Sequence, residues 1–191
     1  NGIFTGTLTI PASVQPFVSE TSEFTATATD SVGNTSEFGP NSGLLDFGDR
    51  TGFVAATQLA SSDIRIGAIP TDTERVNPTT GAADADDATG ADDEDLTMPT
   101  FYVGASTTLA VPVFVNSASI LGGTSRVRVF VDWNGDNDVA DTGETLAAQS
   151  VITSGVRNFV ITPPVGTLPG TKYLRIRQTE GSTAPAFSGN S

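Results

Sequence analysis

The second half of the chain contains short runs in which apolar and polar residues alternate. In one of them, SRVRVFVDW (residues 125–133), every second side chain from Val127 onward is apolar. A period of two residues places such side chains on one face of an extended strand. We therefore predict a strand with one face in the core. That face comprises Val127, Val129, Val131 and Trp133, and the opposite face comprises Arg126, Arg128 and Phe130.

Further strand-like runs follow at regular intervals and are separated by Gly, Pro, Ser or Asn. They are FYVG (101–104), TTLAVPVFV (107–115), TLAAQSV (145–151), RNFVITPP (157–164) and KYLRIRQ (172–178). Short strands at this spacing, without a helical period between them, are typical of two packed antiparallel sheets. The prediction is an all-β fold, an antiparallel β-sandwich of jelly-roll or immunoglobulin-like type with long acidic loops.

The first forty residues have a pattern of their own. EFTATATD (23–30) alternates, and TSEF occurs both at 21–24 and at 35–38, as expected for two strands of a hairpin. GPNSG (39–43) is rich in residues that end regular structure. We predict two domains: residues 1–40, a small N-terminal β-hairpin unit or a donor-strand segment, and residues 41–191, the sandwich.

Charge and composition exclude several classes of function. The 191 residues carry 22 acidic and 9 basic side chains, a net charge of −13, with no histidine and no cysteine. Nucleic acid as a partner is excluded, since binding to it depends on Lys and Arg. Histidine-based nucleophile systems and disulfides are impossible, and no apolar run reaches the ~20 residues needed for membrane insertion. We expect no enzymatic activity, and the start at Asn1 fits a processed protein or an excised piece.

The densest acidic stretch is DWNGDNDVADTGE (132–144), directly after the first run described above. Oxygen-bearing side chains at alternate positions converge when a backbone curls around a cation, as in loops of the form D-x-[DN]-x-[DN] that bind Ca²⁺. No helical pattern flanks the stretch, so it is not an EF-hand. We predict a Ca²⁺ loop between two strands, and the alternative is a solvated acidic turn. The predicted ligands are Asp132, Asn134, Asp136, Asp138, Asp141 and Glu144.

A second acidic segment lies within residues 71–99, a long polar stretch. It is interpreted either as a second cation site or as a solvated acidic linker. The side chains of this possible second metal site are Asp84, Asp86, Asp87, Asp92, Asp93 and Asp95.

The order of these motifs resembles the GEVED domain, a module of large secreted and cell-surface bacterial proteins. The resemblance covers about residues 44–180 and rests on LLDFGD (44–49), TDTE (71–74), GAADADDATGADDEDL (81–96), VRVFVDWNGDNDVADTGET (127–145) and GTKYLRIRQ (170–178). The sequence departs from the family pattern at Leu96 and Asn137, where glycine is usual. The closing Gly-Glu-Val-Glu-Asp is not reached, which implies a last strand that was cut off or is supplied by another chain. The preceding FTATATDSVGNTSEF (24–38) is similar to the end of secreted bacterial β-repeat or Ig-like domains.

The resemblance implies an extracellular or cell-surface, non-catalytic role. We expect a structural module of a bacterial surface fibre, filament or adhesin, rigidified by Ca²⁺ in its acidic loops. Its partners would be copies of itself, joined by β-strand addition through residues 1–10, or neighbouring domains of a larger surface protein. The alternative is a Ca²⁺-dependent carbohydrate-binding module with glycans as partners. Its candidate platforms are Trp133, Tyr102 and Tyr173.

Overall fold

The computed structural model describes residues 32, 45–48, 50–59, 61, 63–69, 71, 79–83 and 96–190. The chain divides into two units, Asn1–Leu44 and Leu45–Ser191. All of the described strands belong to the second unit. Apart from Val32, the predicted N-terminal hairpin and donor strand lie outside the described residues.

The described part of the chain consists of strands, turns and one 3-10 turn, Leu121–Gly123. The strands are β1 (Leu45–Phe47), β2 (Ala56–Leu59), β3 (Ile64–Ile66), β4 (Thr107–Val115), β5 (Ser125–Asp132), β6 (Gln149–Val151), β7 (Gly155–Ile161), β8 (Tyr173–Glu180) and β9 (Gly189–Asn190). Across these described residues there is no α-helix, and no helix is long and apolar enough to cross a bilayer. The prediction of an all-β fold is confirmed.

The strands form three sheets of three strands each. One sheet has the order β3-β4-β7 and another the order β6-β5-β8, and all their pairings are antiparallel. In the third sheet, β1-β2-β9, the pair β1-β2 is antiparallel and β9 lies parallel to β2. The longest pairing joins β5 to β8 over eight residue pairs, from Ser125 opposite Glu180 to Asp132 opposite Tyr173.

The two antiparallel sheets share one hydrophobic core. β4 contributes Leu109, Val111, Val113 and Val115, β5 contributes Val127, Val129 and Val131, and β7 contributes Phe159 and Ile161. Trp133 is 5 % exposed, and its ring meets the ring of Phe101 edge-on at 6.2 Å. The predicted core face of β5 is therefore confirmed, and a core shared by two sheets supports the predicted sandwich.

The opposite face of β5 and β8 is also covered, by the third sheet and the chain that follows β8. Phe130 is 2 % exposed because Phe187 packs on it, with ring centroids 5.6 Å apart. Phe187 in turn meets Phe53 edge-on at 5.1 Å. This aromatic cluster of Phe53, Phe130 and Phe187 ties the segment before β2 to the end of the chain.

Two arginines of β8 hold this outer layer through backbone carbonyl groups. Arg175 Nη1 donates to the carbonyl oxygens of Val54 at 2.9 Å and Phe187 at 2.8 Å. Arg177 is 5 % exposed, and burial lowers the pKa of its guanidinium, while the Asp46 carboxylate acts in the opposite direction. Arg177 donates to the carbonyl oxygens of Thr57, Ala186, Ser188 and Gly189.

The arginines of β5 have the same kind of partner. Arg126 donates to the carbonyl oxygen of Ala148 and Arg128 to that of Pro185, both at 3.2 Å. All four strand arginines thus bind carbonyl groups of their own chain, which gives them a structural role.

One predicted strand is wrong. FYVG (101–104) is a turn, in which the Ala105 N–H donates to the Tyr102 carbonyl at 3.0 Å. Gly104 has φ +74°, a left-handed conformation that ends an extended strand. Likewise, only 149–151 of the run TLAAQSV form a strand, β6.

Candidate functional site

The predicted Ca²⁺ loop lies between β5 and a return segment that pairs with the same strand. β5 ends at Asp132, and the chain comes back at Thr145, which forms an isolated bridge with Phe130. The Val131 N–H donates to the Glu144 carbonyl at 2.8 Å, and the Leu146 N–H donates to the Val129 carbonyl at 3.0 Å. Residues 134–143 therefore project from a closed, hydrogen-bonded base.

Asp132 fixes the first turn of this loop from a buried position. Its side chain is 3 % exposed, and its two carboxylate oxygens accept the N–H of Gly135 at 2.6 Å and of Asn137 at 3.0 Å. Both donors lie in the left-handed region, with φ +85° at Gly135 and +69° at Asn137. Glycine and asparagine tolerate this conformation best, so the local sequence suits the turn.

Glu144 fixes the other end of the loop. It is 1 % exposed, and its carboxylate accepts the Trp133 N–H at 2.9 Å and the Asp141 N–H at 3.2 Å. The Trp133 indole N–H donates to the Gly143 carbonyl at 3.2 Å. Two of the six predicted ligands, Asp132 and Glu144, are therefore buried and bind backbone N–H groups.

The remaining predicted ligands are exposed. The Asn134 carboxamide lies at their centre, because its Nδ2 donates to Asp136 Oδ2 at 2.8 Å and to Asp141 Oδ2 at 2.7 Å. Asp138 is farther along the loop and accepts the Ala140 N–H at 2.8 Å. The structure thus brings three predicted ligands together, Asn134, Asp136 and Asp141, and we call them the exposed trio.

The loop carries more negative charge than its surroundings balance. Within the described part of the chain, no Lys or Arg forms an ion pair with its five carboxylates. In the same residues, no group of three or more Asp or Glu side chains is placed so that it could hold a metal ion. The donor types suit a hard cation such as Ca²⁺, but Asp132 and Glu144 turn toward backbone N–H groups. The metal site stays a prediction.

The family comparison matches the model of the GEVED domain to residues 126–191. Over these residues the chain is similar to the GEVED domain. The match begins in β5, includes the acidic loop and continues through β9. It covers 66 of the 191 residues, and so less of the chain than the resemblance over 44–180 implied. Comparison with curated proteins and with solved structures returned no match.

The predicted second metal site, in the second acidic segment, is not described by the structure. Its six aspartates, between residues 84 and 95, lie outside the described residues. Residues 24–38, which are similar to the end of bacterial repeat domains, lie outside them as well, apart from Val32. Both stay predictions.

The three aromatic candidates for a carbohydrate platform have different surroundings. Trp133 belongs to the hydrophobic core that the two antiparallel sheets share. The ring of Tyr173 is covered by the Arg50 guanidinium, 3.8 Å from the ring centroid. Tyr102 is 67 % exposed, so it is the aromatic candidate whose ring is open to solvent.

A cleft of about 350 Å³ lies beside the acidic loop. One wall includes Asn134 and Asp141 of the exposed trio, and the other includes Leu168 and Lys172. Sequence reasoning did not predict this cleft, because residues 165–168 have no strand pattern and meet the loop only in the folded chain.

A larger cavity of about 500 Å³ was also missed by sequence reasoning. It lies against β8, and Arg65 on its lining stacks on Phe114 at 3.9 Å. Five of the nine basic side chains line this cavity: Arg50, Arg65, Lys172, Arg175 and Arg177. The paired arginines of KYLRIRQ were the one signal for it in the sequence, but Arg50 and Arg65 join them only through tertiary structure.

Proposed function

We propose that this protein is a non-catalytic structural module of a bacterial surface fibre, filament or adhesin. Its acidic loop binds Ca²⁺ outside the cell and thereby rigidifies the domain. The proposal is supported by the GEVED match over residues 126–191, by the all-β fold and by the net charge of −13. A high negative charge attracts cations and keeps a protein soluble.

The observation that carries the Ca²⁺ proposal is the position of the Asn134 carboxamide. Its NH₂ group lies between two carboxylate oxygens, at 2.8 Å and 2.7 Å. A weak, partly positive donor thus fills a position that suits a cation, since the five carboxylates of the loop have no basic partner in the described structure. Rotation of the carboxamide would direct Oδ1 to the same point and leave the exposed trio with oxygen ligands only.

Ca²⁺ suits this loop better than Mg²⁺ does. Ca²⁺ accepts six to eight oxygens in flexible geometry, whereas Mg²⁺ demands a near-ideal octahedron and dehydrates reluctantly. The exposed trio supplies part of such a shell, and water completes it. Asp132 and Glu144 hold the loop in shape from beneath through backbone N–H groups, as supporting groups do around metal sites.

Thermal unfolding in Ca²⁺, in Mg²⁺ and in EGTA tests the proposal. A ligand that binds the folded state alone adds about 2.7 kcal/mol at 100 times its Kd. For a domain of this size, that corresponds to a rise in midpoint of roughly 5–10 °C. We expect this rise with Ca²⁺, and little of it with Mg²⁺.

A pair of variants locates the binding site. Asp141→Asn keeps the shape of a trio member and removes its charge, so the response to Ca²⁺ should largely disappear. Glu180→Gln is the matched control, because Glu180 is exposed and lies at the far end of β8 from the loop. A wild-type protein that Ca²⁺ does not stabilise would refute the Ca²⁺ proposal.

The partners proposed for the module are copies of the same chain or neighbouring domains that add a strand to a sheet. Size-exclusion chromatography with light scattering, at increasing protein concentration, tests self-association. A species that stays monomeric throughout would leave neighbouring domains of a larger protein as the proposed partners.

A Ca²⁺-dependent carbohydrate-binding module is the second candidate. The cleft of about 350 Å³ beside the exposed trio favours it, since small ligands bind in concave sites with a few polar groups. A glycan array probed in Ca²⁺ and again in EGTA is the direct test. Binding that needs Ca²⁺ and is lost in Asn134→Ala would establish this function, and an array without hits would remove it.

A further inference from the structure

Asn134 and Gly135 form an Asn-Gly pair at the centre of the acidic loop. We propose that Asn134 is a site of spontaneous deamidation and that neighbouring groups of the loop assist the reaction. The reaction passes through a cyclic succinimide, in which the backbone nitrogen of the next residue attacks the side-chain carboxamide. Glycine is the least hindered residue for this attack, and no neighbouring atom lies within 4 Å of where a Cβ of Gly135 would be.

The attacking nitrogen already has a proton acceptor. The Gly135 N–H donates to Asp132 Oδ1 at 2.6 Å, a short hydrogen bond to a buried carboxylate. Attack on a carbonyl carbon requires this nitrogen to lose its proton, and a carboxylate at hydrogen-bond distance acts as a general base. Asp132 therefore helps at the step where the nucleophile forms.

The carboxamide under attack is also held in place. Asn134 Oδ1 accepts the Asp136 N–H at 3.1 Å, which folds the side chain back over the Gly135 peptide group. A backbone N–H on this oxygen stabilises the negative charge that develops there during attack. On the other side, Nδ2 is held by the carboxylates of Asp136 and Asp141, so the leaving nitrogen is on the exposed side of the loop.

The atoms balance with water as the one co-reactant. The Gly135 nitrogen forms a bond to Cγ of Asn134, and its proton moves to Asp132. Nδ2 takes up a proton, the Cγ–Nδ2 bond breaks, and ammonia leaves. Water then opens the succinimide at either carbonyl and yields aspartate or isoaspartate at position 134. No oxidant or reductant takes part.

The product changes what holds the loop together. A carboxylate at position 134 cannot donate to Asp136 and Asp141, so three carboxylates face one another at the former position of the NH₂ group. Their repulsion is relieved by a bound cation. Conversion to aspartate should therefore weaken the cation-free loop and raise its affinity for Ca²⁺. This second step rests on the proposed function, whereas the deamidation itself does not.

The test compares the same chain in folded and unfolded form. Wild-type protein is incubated in EGTA at neutral to mildly alkaline pH, once in buffer and once in urea, and deamidation at each asparagine is followed by peptide mapping with mass spectrometry. Asn1, the other asparagine followed by glycine, and Asn116, followed by serine, are internal references. General-base assistance commonly contributes a factor of 100 or more, so we expect position 134 to react at least about tenfold faster in the folded chain.

The proposal is overturned if Asn134 deamidates at the same rate in the folded chain as in the unfolded chain, or more slowly, because the loop then does not assist the reaction. Asp132→Asn should reduce the folded rate to the unfolded value, provided that circular dichroism shows a folded variant. If this variant does not fold, the comparison of folded and unfolded wild-type chains still decides.

The Ca²⁺ consequence is tested separately with Asn134→Asp. Calcium titration by calorimetry should give a Kd at least about fivefold lower than that of freshly prepared wild type. Equal or weaker affinity in the variant would remove the second step and leave the modification intact. Absence of Ca²⁺ binding by both proteins would instead remove the proposed function.

Discussion

Glu144 is a buried side chain whose removal should destabilise the acidic loop. Its carboxylate is 1 % exposed and accepts the N–H groups of Trp133 and Asp141. Glu144→Ala leaves both donors without an acceptor. A buried donor left unsatisfied costs about 1–3 kcal/mol, and the Asp141 N–H lies nearer to solvent, so its cost falls at the low end. We expect a loss of about 3 kcal/mol in the free energy of unfolding, or roughly 6–12 °C in midpoint.

Urea unfolding in EGTA measures this loss without any contribution from Ca²⁺. The slope with denaturant should stay constant, because the variant exposes no new surface on unfolding. Asp138→Ala is the matched control. Asp138 also accepts one backbone N–H, that of Ala140, but it is exposed, so water replaces it and the cost should be about 0.5 kcal/mol. If the two variants differ by less than about 1 kcal/mol, Glu144 does not hold the loop as argued.

Three further variants or probes test the rest of the fold. Arg177→Lys keeps the charge but cannot reproduce the planar fork that binds four carbonyl groups. Urea unfolding should therefore show a loss of about 2 kcal/mol or more in the free energy of unfolding, and an unchanged midpoint would contradict this role. Phe187→Ala removes the ring between Phe53 and Phe130 and should lower the free energy of unfolding by about 3 kcal/mol. Proteases should also cleave the chain after β8 faster in this variant, and a cleavage rate equal to that of the wild type would contradict the packing. Trp133 should show blue-shifted fluorescence that acrylamide quenches weakly, since it is in the core; strong quenching, or a spectral change with oligosaccharides, would place it in a binding site instead.

The strands were predictable where one face alternates with the other. In β5 the valines at every second position face the shared core, and period-two alternation is the direct consequence of the pleat. The same reasoning fails at FYVG, where Phe101 and Val103 have the right spacing but Gly104 turns the chain. A run of four residues contains too few positions to separate a strand from an apolar turn.

The roles of the acidic side chains were harder to predict from the sequence than the strands were. A carboxylate in a tight turn is favoured whether it binds a cation or accepts backbone N–H groups, because both uses need a negatively charged acceptor. Asp132 and Asp136 therefore look alike in the sequence, although one is buried under two N–H donors and the other lies on the surface. Burial separates them, and burial depends on the strand from which the loop starts.

The arginines of β8 show why long-range contacts escape sequence patterns. Arg175 and Arg177 alternate with Leu174 and Ile176, a pattern that normally indicates a solvated outer face. Their partners in β2 and the segment before it are about 120 residues away in sequence. The guanidinium groups satisfy carbonyl groups that the third sheet would otherwise bury unpaired.

The loop and the core are joined by a short series of contacts, and this bears on what a bound cation could do. Asp141, a member of the exposed trio, donates its N–H to Glu144, and Glu144 also accepts the N–H of Trp133, whose ring belongs to the core. Fixing Asp141 in the loop therefore also fixes the carboxylate on which the end of β5 depends. A cation that binds an acidic loop equally well in the folded and the unfolded chain leaves the unfolding midpoint unchanged. Because this loop shares Glu144 with the core strand, the exposed trio is held in place only in the folded domain, so its occupancy should raise the midpoint of the whole domain. Glu144→Ala loosens the loop and should therefore reduce the rise in midpoint caused by Ca²⁺, even though the exposed trio is intact.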